Sequence, residues 1–322
     1  MNQTVKTLDI YWANLCILNR IEGEKMETAA GLWQRETGDT EIRMVYLGDT
    51  ERIGIYEKLD TDIRETDKPD FDAIISTRLD IFCSDKYLQS YTDELMPINK
   101  HFKLRPEIEE LGVADEEGLF LPLVVLPHFI IVNTEVLGNQ SPPESLKDLL
   151  EPEWEGKVYI GSADLPSARS VLLAICYLYG REGLDKAVKY WRQKSAPSAA
   201  RHGLIKDEFP IAILPGVFSG PGPKNKLMKI VPADGAPVLP SFAAVQKGES
   251  AEATLDFLKK SAVTNEFIEF YKNQATAYPA LASGPDPAEA DQNLKMVYPS
   301  WQWLKEQDIE EFIGICAETP MG

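Results

Sequence analysis

Residues 141–180, SPPESLKDLLEPEWEGKVYIGSADLPSARSVLLAICYLYG, constrain the fold more than any other stretch of this chain. Ser141-Pro142-Pro143-Glu144 has capping-box spacing and predicts a helix through Leu150. Residues 157–161 predict a buried strand. Residues 167–180 are apolar on nearly every face and predict an interior helix. The loop between them ends in Pro166-Ser167-Ala168-Arg169-Ser170, so backbone N–H groups, two hydroxyls and a guanidinium gather at one helix N-terminus. The macrodipole favours anions there, and the stretch reads as a holder of a small polar or anionic group.

The rest of the chain alternates in the same way. A strand is expected at 7–12, then a loop Ala13-Asn14-Leu15-Cys16. An amphipathic helix over 24–37 follows from the spacing of Met26, Ala29, Ala30 and Trp33, with Gly38 placed to end it. A strand at 41–47, a helix at 51–59 capped by Asp49 or Thr50, and a strand at 71–76 come next. Two apolar strands, 119–125 and 129–133, are expected to break at Pro127-His128. An amphipathic helix at 183–194 precedes a strand at 209–214, a Gly/Pro-rich loop at 219–226, and strands at 228–231 and 241–246. Residues 251–272 and 299–316 read as mainly helical. Strand–helix alternation of this kind argues for a mostly parallel α/β sheet.

Composition narrows the function. The 322 residues suffice for two domains of about 100–200 residues each. The formal net charge is −18, and no Lys/Arg cluster forms the basic patch that nucleic acid requires. Cys16, Cys83, Cys176 and Cys316 are widely spaced, form no CxxC motif, and read as free thiols. His101, His128 and His202 lack ligand spacing, so no metal site and no cofactor is expected. No apolar run reaches the length of a membrane span. The first strand is expected almost at once, and no leader is expected before it. The chain is therefore expected to be cytoplasmic, or periplasmic or extracellular if Met1 replaces a removed leader.

Several pieces in order resemble a type II solute-binding protein of an ABC transporter, nearest the iron(III)-binding-like group. They are Ile131-Val132-Asn133-Thr134, Pro143-Glu144-Ser145-Leu146-Lys147-Asp148-Leu149-Leu150, Glu151-Pro152-Glu153-Trp154-Glu155-Gly156-Lys157-Val158, the loop and helix from Ser162, Val231-Pro232-Ala233-Asp234-Gly235-Ala236, Asp256-Phe257-Leu258 and Tyr278-Pro279-Ala280-Leu281. The resemblance spans roughly 120–285 and is thinner before that. It implies an α/β, two-lobed type II periplasmic binding protein architecture, with a ligand cleft between lobes joined by crossing hinge strands. Lobe 1 is then 1–125 plus 236–322, and lobe 2 is 126–235. The iron binders of the group place adjacent tyrosines after the strand equivalent to 209–214. Here the loop is Pro215-Gly216-Val217-Phe218-Ser219, which favours an anion or small polar organic ligand over ferric ion.

In open α/β sheets, ligands bind beyond the carboxyl ends of the strands. Four loops leave such ends: 12–16, 76–80, 162–170 and 215–219. The candidate ligand-binding residues are therefore Trp12, Asn14, Ser76, Thr77, Arg78, His128, Ser162, Ser167, Arg169, Ser170, Gly216, Phe218 and Ser219. Most have a plainer alternative. Trp12 packs under its lobe, Ser76–Arg78 form an ordinary turn, His128 is a structural histidine, Ser167 is an N-cap, Arg169 pairs with Asp164, and 215–219 is a plain loop. No catalytic residue is assigned.

The reading these features carry is an extracytoplasmic solute-binding component of an ABC transporter. It would be a monomer closing on its ligand by a hinge and delivering it to a membrane permease. Three alternatives stay open: a cytoplasmic sensor or carrier of the same fold, a ferric-ion binder, and a cysteine-dependent enzyme. The last would resemble the thiaminases, with Cys16 as nucleophile.

Overall fold

A computed structural model of the chain describes residues 6–14, 19–38, 40–46, 65, 70–288 and 293–322. The strands are β1 (Lys6–Ala13), β2 (Thr40–Tyr46), β3 (Ala73–Ser76), β4 (Leu121–Asn133), β5 (Val158–Ile160), β6 (Arg192–Gln193), β7 (Ile211–Pro215), β8 (Leu227–Ile230), β9 (Ala236–Val245), β10 (Tyr278–Pro279) and β11 (Met296–Val297). The α-helices are α1 (Asn19–Thr37), α2 (Leu79–Phe82), α3 (Pro106–Leu111), α4 (Thr134–Leu137), α5 (Pro166–Tyr190), α6 (Pro197–Ile205), α7 (Ala251–Lys260), α8 (Asn265–Ala275), α9 (Trp301–Lys305) and α10 (Ile309–Ala317). The expected helix at 51–59 and residue 47 of the second strand lie outside the described residues.

The chain divides into two compact units. Unit 1 holds Met1–Val125, Pro240–Ala275 and Pro279–Asp286; unit 2 holds Leu126–Leu239, Thr276–Tyr278 and Pro287–Gly322. In unit 1, β1 runs parallel to β2 (Leu8 opposite Ile42) and to β3 (Ile10 opposite Ala73), and β3 runs antiparallel to β9 (Ile74 opposite Ala244). Helix α1 turns Glu22, Met26, Ala30 and Trp33 inward, one stripe at helical spacing. Trp33 meets Phe257 edge-on at 5.8 Å and donates its Nε1–H to Asp256 at 2.8 Å. Gly38, at φ +77°, ends the helix in the left-handed region where a side chain is strained.

In unit 2, β4 runs antiparallel to β7 (Ile131 opposite Ala212) and to β8 (Ile131 opposite Lys229), while β5 runs parallel to β7 and β6. The core on one side of this sheet includes Phe129, Ile131, Leu204, Phe209, Leu214 and Leu227. The sheets are mixed rather than mostly parallel. The antiparallel pairs β3–β9, β4–β7 and β4–β8 all involve β4 or β9, the two strands divided between the units.

Three further differences from the sequence reading have local causes. First, β4 is one buried strand and does not break at Pro127-His128. The β7 ladder begins with His128 opposite Pro215, so the N–H that Pro127 lacks is not needed there. Second, residues 141–150 form no α-helix, only a 3-10 turn over Asp148–Leu150. The Glu144 and Ser145 N–H groups bond to Asp148 at 2.9 Å, and those of Leu146 and Lys147 bond to Asp234 at 3.1 Å. Carboxylates thus take the donors that a helix would have used. Third, residues 287–322, assigned to lobe 1 from the sequence, group with unit 2. Gln193 donates to the Thr319 carbonyl at 2.6 Å and accepts the Gly322 N–H on its backbone carbonyl at 3.1 Å, and Arg181 pairs with Glu311 at 2.9 Å.

Candidate functional site

In unit 2 the loop from 161 to 165 is fixed from several sides before it enters α5. Gly161 is required by close approach, since a Cβ there would lie 2.8 Å from Pro197 Cδ. Gln193, 8% exposed, accepts the Ala163 N–H at 2.7 Å. Arg169 reaches back and donates its Nε–H to the Ala163 carbonyl at 2.9 Å. Its expected alternative, an ion pair with Asp164, is not formed. Ser162 is engaged locally: its Oγ accepts the Asp164 N–H at 3.2 Å and lies 3.4 Å from the Asp164 carboxylate.

Helix α5 starts with Leu165 as N-cap and Pro166 at the first position, and no side chain caps it. Ser167 is therefore not the N-cap. The Arg169 N–H closes on the Leu165 carbonyl at 3.2 Å, so the N–H groups of Ser167 and Ala168 precede the helical ladder. Pro166, having no N–H, fits the first position at no loss.

His128, on β4, is completely buried and joins the start of α5 to β9. Its Nε2 lies 2.8 Å from Ser167 Oγ, and its Nδ1 lies 3.2 Å from the Pro237 carbonyl oxygen. Burial pushes the imidazole pKa down to about 4, so the ring is neutral at neutral pH. A hydroxyl against an imidazole has the outline of a nucleophile and base. Here the third group is a carbonyl rather than a carboxylate, and a ring this hard to protonate is a weak base. Ser170, 7% exposed, donates its hydroxyl to the Ser167 carbonyl at 2.9 Å.

The second loop of unit 2 is mostly structural. A Cβ on Gly216 would lie 3.0 Å from Thr276 Cγ2 and 3.3 Å from Phe129 Cε2, so only glycine fits without a shift. Phe218 packs on the unit 2 core, and Ser219 returns its hydroxyl to the Gly216 carbonyl at 2.7 Å. Arg201 holds the Phe218 and Gly220 carbonyls at 2.6 and 3.0 Å. Phe218 is half-buried there.

In unit 1 the candidates are largely internal. Trp12 is 2% exposed and packs edge-on against Phe267 at 5.6 Å. Ser76 and Thr77 are buried, and Ser76 Oγ accepts the Arg78 N–H at 3.1 Å. Arg78 forms a two-pronged ion pair with Asp80 at 3.1 and 2.6 Å. Asn14 is buried and donates to Glu22 at 3.0 Å and to the Tyr271 hydroxyl at 2.7 Å, while Tyr271 itself donates to Glu22. Burial raises the Glu22 pKa to about 7, against hydrogen bonds from Tyr271, Trp12 and Asn14 that lower it. Neither Glu22 nor Gln193 was among the expected residues. The only sequence signal for Glu22 was a carboxylate one turn before Met26 on the apolar stripe. Cys16 lies outside the described residues; Cys83 is buried, and Cys176 and Cys316 are free thiols.

The chain belongs to the family of bacterial extracellular solute-binding proteins, whose family model matches residues 68–309. The fold is that of the two-lobed type II periplasmic binding proteins, the substrate-binding components of ABC transport systems. It is similar to the ferric binding protein from Campylobacter jejuni, with a TM-score of 0.69 and 15% identity over 97% of this chain and 99% of that one. It is also similar to iron-bound HitA from Pseudomonas aeruginosa, with a TM-score of 0.64 and 17% identity over 98% of this chain and 99% of that one. AfuA from Actinobacillus pleuropneumoniae, with fructose-6-phosphate bound, gives a TM-score of 0.64 and 14% identity over 98% of each chain. No curated protein matches the sequence. At these identities the likeness fixes the fold alone.

Proposed function

We propose that the protein is an extracytoplasmic receptor that binds a small anion or small polar organic ligand at the N-terminus of α5. The ligand is then handed to the permease of an ABC transporter. The observation that carries this reading is the uncapped start of α5, where the Ser167 and Ala168 N–H groups and the macrodipole favour negative charge. Arg169 adds a guanidinium held close by its bond to Ala163. In this reading units 1 and 2 are the two lobes, β4 and β9 are the hinge strands, and a monomer closes on the ligand. Ferric ion is disfavoured as sole ligand because the loop 215–219 offers no tyrosine. The family supports an address outside the cytoplasm and a carrier rather than a catalytic role.

A thermal-shift screen of metal-stripped protein tests this. The panel holds phosphate, sulfate, molybdate, sugar phosphates and ferric citrate. A bound anion at about 100 times its Kd is expected to add about 2.7 kcal/mol to folded stability. A shift with ferric citrate alone, reproduced by neither citrate nor any other anion, overturns the anion reading. No shift with any member overturns the assignment of these ligands.

A further inference from the structure

A cavity of about 290 Å³ lies within unit 2, where the middle of α5 faces α9 and α10. Its buried lining is apolar and includes Leu173, Leu184 and Phe312. Its more exposed lining includes two aromatic rings, Tyr177 and Trp303, which meet edge-on with centroids 5.4 Å apart. Tyr177 is 38% exposed and Trp303 is half-buried. Gly180 also lines the cavity, and it breaks α5 with φ +66° and ψ −168°. A Cβ at Gly180 would meet nothing within 4 Å, so the space around the break is open. Glycine at such a position lets the backbone stand next to a ligand with no side chain between them.

The charge here is lopsided. Arg181 is the one cation among the described residues that line the cavity, and it is divided between Asp185 at 2.7 Å and Glu311 at 2.9 Å. Asp308 and Glu311 line the cavity as well. Three carboxylates thus stand against one guanidinium. Apolar walls draw the body of an organic molecule, ring faces attract a cation, and an acidic rim repels an anion.

We propose that this cavity is a binding site for a small organic cation with an apolar body, the chemistry of an arylalkyl ammonium. The apolar body packs on Leu173, Leu184 and Phe312, and the charged head meets Tyr177, Trp303 and the carboxylates of Asp308 and Glu311. The volume sits at the lower end for small-molecule pockets, about 300 Å³, which limits the occupant to a compact molecule. The site is separate from the one proposed at the start of α5, because Gly180 lies about 20 Å along the helix from Pro166.

The test follows the indole N–H resonances of the ¹⁵N-labelled protein by NMR, with the Trp303 line assigned through Trp303→Phe. The titrants are benzyltrimethylammonium chloride and benzyl alcohol, the same ring without the charge, at equal ionic strength. The Trp303 line is expected to shift and saturate with the cation, and benzyl alcohol is expected to bind at least about fivefold more weakly, the scale of one cation–π contact. The double variant Asp308→Asn/Glu311→Gln is expected to lose most of that margin. It keeps the cap of α10, because asparagine still accepts the N–H that Asp308 accepts. A Trp303 line that stays still, or that drifts without saturating, overturns the inference. So does benzyl alcohol binding as tightly as the cation, or a margin unchanged in the double variant.

Discussion

Two buried titratable groups bias stability in opposite directions. Glu22 has its ordinary pKa of 4.5 in the unfolded chain and about 7 in the folded protein. The folded state therefore holds a proton that the unfolded state releases, and stability falls as pH rises between those values. A shift of this size corresponds to about 3 kcal/mol as an upper bound. Glu22→Gln, which cannot ionise, is expected to gain on wild type by about 2–3 kcal/mol between pH 4.5 and pH 8 in urea denaturation. A gap that does not change with pH would show that Glu22 is not buried as an acid. His128 has the reverse sign: its pKa falls from 6.5 to about 4 on folding, so its contribution is complete above pH 6.5 and is lost as pH drops toward 4. Removing the imidazole, as in His128→Asn, is expected to flatten the acid limb of the stability–pH curve below 6.5, by up to about 3 kcal/mol. An acid limb unchanged in the variant would place its cause in other groups.

At the scale of elements, turns of unit 2 are held by groups remote in sequence. The turn at 144–148 is built on Asp148 and Asp234, and Asp234 also accepts the Tyr179 hydroxyl, which ties α5 to this turn. Asp234→Ala removes the acceptor for two backbone N–H groups and is expected to destabilise by about 1–3 kcal/mol in denaturant titration. Asp234→Asn should recover part of that, because the amide oxygen still accepts. Helix α5 bends sharply at Gly180, whose φ of +66° and ψ of −168° lie in a region nearly restricted to glycine. A Cβ there meets nothing within 4 Å, so Gly180→Ala isolates backbone strain from crowding. The expected loss is about 1–3 kcal/mol, with no change in ligand affinity if α5 starts its work at the other end. Full stability in this variant would mean that the bend relaxes into a continuous helix.

At the scale of the whole molecule, the C-terminal segment belongs with unit 2. Trp301, Phe312 and Cys316 are buried, and Thr319 and Pro320 carry carbonyls that Gln193 holds. Gln193 also positions the Ala163 N–H, so the tail and the proposed ligand loop share one side chain. Truncation after Asp286 is expected to lower Tm and to open the 161–165 loop to proteolysis. An unchanged loop cleavage pattern would show that Gln193 does not depend on the tail.

The sequence by itself determined the α/β class, most strands and the apolar helix expected from 167, one residue inside its observed start, because hydrophobic period and Pro/Gly punctuation act over a few residues. It also marked Ser167, Arg169 and His128 as neighbours of a candidate site. Only the tertiary structure decided what those side chains offer. The 144–150 segment lost its helix to two carboxylates, one of them 88 residues from Leu146. Arg78 was paired with Asp80, Phe218 was packed against a core, and the 287–322 segment was grouped with unit 2. His128 was joined both to Ser167 and to a carbonyl 109 residues away. What a polar side chain offers depends on the partners it meets, and these partners arrive through folding rather than through local sequence.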